Sequence, residues 1–221
     1  QARLLRFQLY KRELVIGVVA GVDQALTMAP RARKPILLLE HADRLNDSTY
    51  VLRALIERGA KRVYAPFMFD PEVAAVAIQA GEGATITVDF AGKSSPQAGG
   101  PLRVPARVLY AGQKAFDITG PLRTGSRMDL GVTALLDVGG ILISVVSVQW
   151  SAIDRDCFDQ FDLRPEDFTF ILLRSKTHFR EVYTPLVEAI IIIDTPDWGP
   201  ADLTTLPYRH IPPGVFPVTQ A

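Results

Sequence analysis

The sequence predicts an α/β domain: a mostly parallel sheet with flanking helices, interrupted by an antiparallel β insertion. Three observations predict it. Ile36 to Leu39 is an unbroken apolar run, as expected of a strand covered on both faces. It is followed by two rounds of helix-period and strand-like segments, the β-α-β-α alternation that implies parallel strands joined by right-handed crossovers. From Ala84 to Val148 the apolar period drops to two, and buried strand-like runs resume at Phe168 to Leu173 and Ala189 to Ile193.

Residues 1–14 carry a helical pattern in Leu4, Leu5, Gln8, Leu9 and Arg12, and a second helical stretch runs from Val22 to Ala29, ended by Pro30. We expect residues 1–34 to be a helical segment continuing from a preceding domain, since the chain opens Gln1-Ala2-Arg3 directly into that pattern. Residues 35–221 are then the α/β domain, with the insertion at about 84–148. After the first strand, Asn46, Asp47, Ser48 and Thr49 supply capping oxygens for a helix that buries Val51, Leu52, Leu55 and Ile56 and stops at Gly59. Lys61 to Phe67 is the second strand. Asp70-Pro71-Glu72 gives an N-cap, a proline at the first helical position and an acid in the first turn, and Gly81 closes that helix.

Within the insertion, Thr85 to Phe90 alternates with period two and Leu102 to Tyr110 does so loosely. Met128 to Val138 and Ile141 to Val148 are joined at Gly139-Gly140, a two-residue hairpin signal. Helical spacing returns at Asp154 to Phe161 and again from Thr177 to about Pro185. The proline-rich tail from Pro196 is expected to be irregular.

Composition narrows the function. Hydrophobic residues are 48% of the 221 and charged residues 22%, enough apolar material for a core without a disulfide or metal staple. Lys+Arg and Asp+Glu are 24 each, so no basic excess points to nucleic acid. The densest basic patch, Arg31, Arg33 and Lys34, fits a solvated loop. Cys157 is the single cysteine and sits at the spacing of a buried structural thiol. The longest aliphatic run, Ala189 to Ile193, is too short to span a bilayer, and no signal-peptide pattern opens the chain, so the expected compartment is cytoplasmic.

In open α/β sheets ligands bind beyond the carboxyl ends of the parallel strands. Two segments fall there, Glu40 to Thr49 and Arg174 to Arg180. In the first, Glu40, His41, Asp43 and Asp47 are chemically able to hold a cation, but no zinc-like spacing is present. The plainer alternative is that Asp47 or Ser48 caps the helix and Asp43 holds Arg44 in the turn. In the second, Lys176, His178 and Arg180 are placed to grip a carboxylate or phosphate, against an alternative of an ordinary basic first turn. Cations at a helix N-terminus oppose the macrodipole, so a sequence that keeps them there has a reason. No P-loop, nucleophile elbow or dinucleotide fingerprint occurs.

The ordered series Glu40-His41-Ala42-Asp43, Asp47-Ser48-Thr49, Leu52-Arg53-Ala54-Leu55, Phe69-Asp70-Pro71-Glu72, Leu130-Gly131, Val138-Gly139-Gly140, Lys176-x-His178-Phe179-Arg180, Asp194-Thr195-Pro196 and Leu206-Pro207-Tyr208-Arg209 resembles the carboxy-terminal domain of the microcystinase C (MlrC) family of zinc metallopeptidases. The resemblance covers nearly the whole chain. It implies a hydrolase of peptide or amide bonds whose zinc is held by Asp and His residues in an amino-terminal domain, so this chain would contribute no metal ligand and no catalytic residue. Its contribution would be cleft wall and contacts to a small peptide or amide substrate, with Asp43, Asp47, Lys176, His178 and Arg180 as the substrate-binding candidates. The chain departs from the family in its first loop: Asp43-Arg44-Leu45-Asn46-Asp47 replaces a longer Asp-Asn-Pro-Gly-Gly-Gly tract, so microcystin-derived peptides are not implied. Two other functions stay open: a non-catalytic module binding a small anion, and a dimerisation domain using the strand edges of the insertion for a homodimer.

Overall fold

Nine strands form one sheet in this computed structural model, which describes residues 15–215, 218 and 219. The helix expected over residues 1–14 lies outside them. The strands are β1 (Val15–Gly17), β2 (Ile36–Glu40), β3 (Val63–Phe69), β4 (Thr85–Phe90), β5 (Leu102–Asp117), β6 (Arg127–Asp137), β7 (Ile141–Val146), β8 (Phe170–Arg174) and β9 (Ala189–Asp194). Their order across the sheet is β1-β9-β2-β8-β3-β7-β6-β5-β4. Every pair from β1 to β7 in that order is parallel, and the pairs linking β7, β6, β5 and β4 are antiparallel.

The expected α/β class is therefore what the chain adopts. The stretch at 84–148 extends the same sheet, and its last strand, β7, lies parallel beside β3. At the other edge β1 pairs with β9, so the residues just before α1 (Val18–Met28) are sheet and not helix.

Both faces of the parallel half are covered, which is why β2 reads as a continuous apolar run. Ile36 and Leu38 join the core beneath α1, α2 (Tyr50–Glu57) and α3 (Pro71–Ala80). Leu37 and Leu39 join the opposite core with Tyr64, Phe158, Phe179 and Tyr183, under the short helices α4 (Asp156–Asp159) and α5 (Arg180–Tyr183). Each of these four β2 side chains is fully buried, worth about 1.5–3 kcal/mol apiece. Along β5 the alternation is strict at first, with Leu102, Val104, Ala106 and Val108 inward and the residues between them exposed. Cys157 is buried; burial pushes its thiol well up, and Sγ lies 3.3 Å from both the Asp154 carbonyl and the Tyr183 hydroxyl, a structural environment.

Local chemistry explains the element ends. Gly139 and Gly140 both take positive φ (59° and 95°), the conformation of a two-residue hairpin, and Val138 N–H donates to Ile141 C=O at 2.9 Å. Pro66 cannot donate to the ladder; β3 shifts register between Ala65 and Met68, and the Phe67 N–H donates to the Ser144 hydroxyl instead. Asp70 caps α3 as expected: Oδ1 accepts from Val73 N–H (3.1 Å) while Oδ2 accepts from Ala91 N–H (2.8 Å). Asp70→Ala is expected to cost about 2 kcal/mol, the upper end of the cap range, because both donors are buried; urea denaturation would measure it.

Three expectations need correction. Thr49 stands at the N-cap of α2 but its side chain accepts no capping bond. The Ser48 hydroxyl donates to Glu40 Oε1, and Asp47 accepts from Lys93 N–H, Ser94 N–H and the Ser94 hydroxyl, so the expected cap residues hold other segments instead. The helix expected from Thr177 is only Arg180–Tyr183, a single turn with little macrodipole, which removes the dipole argument for Lys176 and His178. The helix expected over Asp154 to Phe161 is likewise only Asp156–Asp159.

Candidate anion-binding cleft

The carboxyl ends of β2 and β8 meet with Glu40 opposite Arg174 in the parallel register. Arg174 is 5% exposed, and a buried guanidinium needs both charge and hydrogen-bond partners. Its Nε lies 2.8 Å from Asp43 Oδ2, its Nη2 is 3.7 Å from Glu40 Oε2, and Nη2 donates to the Ser48 carbonyl at 3.1 Å. Its Nη1 has no hydrogen-bond partner among the described residues. Asp43 in turn pins the loop: Oδ1 accepts from Leu45 and Asn46 N–H, and Oδ2 from Ser48 N–H. Asp43 thus shapes the turn through backbone N–H groups, but its charge partner is Arg174 and not Arg44 as expected.

Above Arg174 opens a cleft of about 380 Å³. Among the described residues its lining includes Arg44, Arg123, Arg174, Lys176 and His178, with Asp43 as the single acidic residue. Lys176 Nζ is 2.7 Å from His41 Nε2 and donates to the Gly199 carbonyl at 2.9 Å. Burial lowers the His41 pKa, opposed by Asp194 and assisted by Arg44, which favours a neutral ring that accepts from the ammonium. Gly199 lets two cations close in: a Cβ there would lie 3.1 Å from Arg44 Nε and 3.4 Å from Lys176 Nζ. The far wall comes from the β5–β6 connection, where the Arg123 guanidinium carbon lies 5.3 Å from the centre of the Trp150 ring. Asn46 and Arg123 both hold left-handed backbone (φ 60° and 66°), and Asn46 Nδ2 donates to the Trp150 carbonyl, tying the near loop to the far wall.

The structure gathers three of the five predicted residues, Asp43, Lys176 and His178, in this cleft. Asp47 faces a neighbouring hollow of about 320 Å³ with Asp70, Glu72, Lys93 and Ser94. Arg180 is exposed, its guanidinium carbon 5.4 Å from the Phe179 ring centre, and it lines neither space. Sequence reasoning missed Arg44, Arg123, Trp150 and Arg174 as cleft residues. A charge at the end of each of two apolar strands, Glu40 and Arg174, was the available signal for that pair; nothing local marks Arg123 or Trp150.

The donor chemistry does not fit a zinc ion. Glu40 and Asp43 face a guanidinium that already supplies the cation, His41 is engaged by Lys176, and His178 and His210 are exposed and apart from each other in the chain. Among the described residues no group of three or more His, Cys, Asp or Glu side chains is placed to hold a metal. Burial raises Glu40 to about 7 against the pull of Arg174, and raises Asp197 to about 6. Among the described residues no helix is long and apolar enough to cross a membrane.

An open α/β domain with a cationic cleft beyond the carboxyl ends of its parallel strands is thus the class that fold and geometry define. The chain belongs to the family described as MlrC C-terminus, whose model matches residues 45–210. The match includes Arg123, Trp150, Arg174, Lys176 and His178 and begins just after Arg44. The crystal structure of a candidate metallopeptidase from Mesorhizobium sp. BNC1 has the same fold, with a TM-score of 0.80 and 22% identity over 94% of this chain. The chain spans 42% of the length of that protein. None of the curated proteins matches the sequence.

Proposed function

We propose that this chain is the carboxy-terminal domain of a metal-dependent peptide or amide hydrolase, and that its cleft seats a carboxylate of the substrate. The observation that carries this is the cleft itself, where Arg44, Arg123, Lys176 and His178 surround the Arg174 end of β8 with one carboxylate among them in the described lining. Lys176, oriented by neutral His41 and the Gly199 carbonyl, and His178 at the rim complete the seat; Asp43 positions Arg174 and touches no ligand itself. The hydrolytic metal, zinc by the family resemblance, belongs in this reading to an amino-terminal domain.

Binding of acetate to this chain, and peptide hydrolysis with and without an amino-terminal domain joined to it, tests the reading. Acetate binding that weakens about tenfold in Lys176→Ala, with hydrolysis only in the joined protein, is the expected result. Hydrolysis by this chain alone would place the catalytic groups within it and overturn the assignment. Acetate binding without hydrolysis in the joined protein would leave a non-catalytic anion-binding module.

A further inference from the structure

We infer that the cleft is built for a ligand with two separated anionic groups, one between Arg44 and Lys176 and the other on Arg123; this rests on the anion-binding reading above. The first observation is a charge census of the cleft. Arg174 is already countered by Asp43 at 2.8 Å, with Glu40 beside it, so it offers a hydrogen bond more than net charge. Arg44, Arg123 and Lys176 form no ion pair with any carboxylate among the described residues. A single carboxylate between Arg44 and Lys176 would leave Arg123, exposed on the opposite wall, to water alone.

The second observation is how the cations are arranged. Arg44 Nε and Lys176 Nζ lie 3.1 and 3.4 Å from the point a Gly199 Cβ would occupy, so the two cations flank one small space. Two like charges held this close repel, and the repulsion is removed when an anion sits between them. The Lys176 ammonium uses two donors on His41 and Gly199, leaving a third N–H for that anion.

Arg123 is held separately, on the opposite wall. Its guanidinium carbon lies over the Trp150 ring, 5.3 Å from the centre, and the exposed N–H groups can hold a carboxylate with two parallel bonds. Its left-handed backbone is a conformation a long side chain adopts at a cost, and the turn around it is closed by Gly125 N–H to Ile118 C=O (2.8 Å) and Ser126 N–H to Arg123 C=O (3.0 Å). The Thr119 N–H and hydroxyl are anchored on the buried Asp156 carboxylate, at 2.9 and 2.5 Å. This wall is therefore built to present Arg123, and a second anionic group is what it presents it to.

The test is calorimetric titration of this chain at low salt with acetate, malonate, succinate, glutarate and inorganic phosphate. One of the dicarboxylates is expected to bind about tenfold more tightly than acetate. In Arg123→Ala that ratio is expected to fall to about one, with circular dichroism confirming the fold. Equal affinity for acetate and every dicarboxylate would overturn this inference while the single-carboxylate reading stands. Phosphate binding more tightly than any dicarboxylate would also overturn it, by placing the charge at one point. Failure of all five anions to bind would sink the anion-binding reading itself.

Discussion

Arg174→Met is expected to destabilise the protein by about 3–5 kcal/mol, the cost of removing one partner from a buried charge cluster. The side chain itself is apolar enough to pack, so the loss comes from what remains. Asp43 is buried with its Oδ2 facing the lost guanidinium, and among the described residues Glu40 Oε2 has no hydrogen-bond partner and no other cation within ion-pair distance. Urea denaturation near neutral pH measures the effect. The deficit should narrow as pH falls through about 7, because Glu40 then takes up its proton and one uncompensated charge is lost. The triple variant Arg174→Met, Asp43→Asn, Glu40→Gln should recover a large part of the loss, since replacing a buried ionic cluster as a unit is much cheaper than breaking it. A single Arg174→Met variant as stable as the parent would show that the cluster contributes nothing to the fold.

Stability is also expected to fall as pH rises from about 4.5 to about 7, the reverse of ordinary acid denaturation. Three buried carboxyls set the direction. Burial, the largest cause in each, raises Glu40 from 4.5 to about 7, Asp154 from 3.8 to about 7 and Asp197 from 3.8 to about 6. An acid with a raised folded pKa keeps its proton in the fold when the unfolded chain has lost it. Its contribution is therefore complete below the ordinary carboxylate range, is lost as pH climbs to the raised value, and changes no further above it. Glu72 and Asp167 are shifted the other way by Lys93 and Arg164 but are exposed and contribute little. The lowered pKa of half-buried His41 opposes the trend only in part, one group against three. Denaturation midpoints between about pH 4.5 and about pH 8 test this, with Glu40→Gln and Asp154→Asn each flattening the slope. A midpoint that rises across that window would refute the assignment of protons to these carboxyls in the fold.

These substitutions act on different parts of one connected structure. Asp70→Ala acts on a helix end, Lys176→Ala and Arg123→Ala on ligand contacts, and Arg174→Met on the floor that holds the near loop in place. Asp43 joins the last two, since its two oxygens serve both Arg174 and the backbone of residues 45, 46 and 48. A change that frees Asp43 should thus loosen the Arg44 wall even though Asp43 needs to touch no ligand.

What the sequence determined by itself is whatever depends on near neighbours in the chain. The unbroken apolar run of β2, the period-two pattern of β4 and β5, the Asp70-Pro71-Glu72 helix start and the Gly139-Gly140 hairpin are each set by residues within a few positions of one another. The strand-end rule then pointed to the two loops that bring Asp43, Lys176 and His178 to the cleft. Tertiary structure alone decided the rest. It gave Asp47 to the distant loop at Lys93 and Ser94, set Arg174 against Asp43, and brought Arg123 and Trp150 across from the β5–β6 and post-β7 connections. These pairings join residues many tens of positions apart. A charged side chain's partner is set by which strands lie side by side, and that order is fixed only when the whole core is buried.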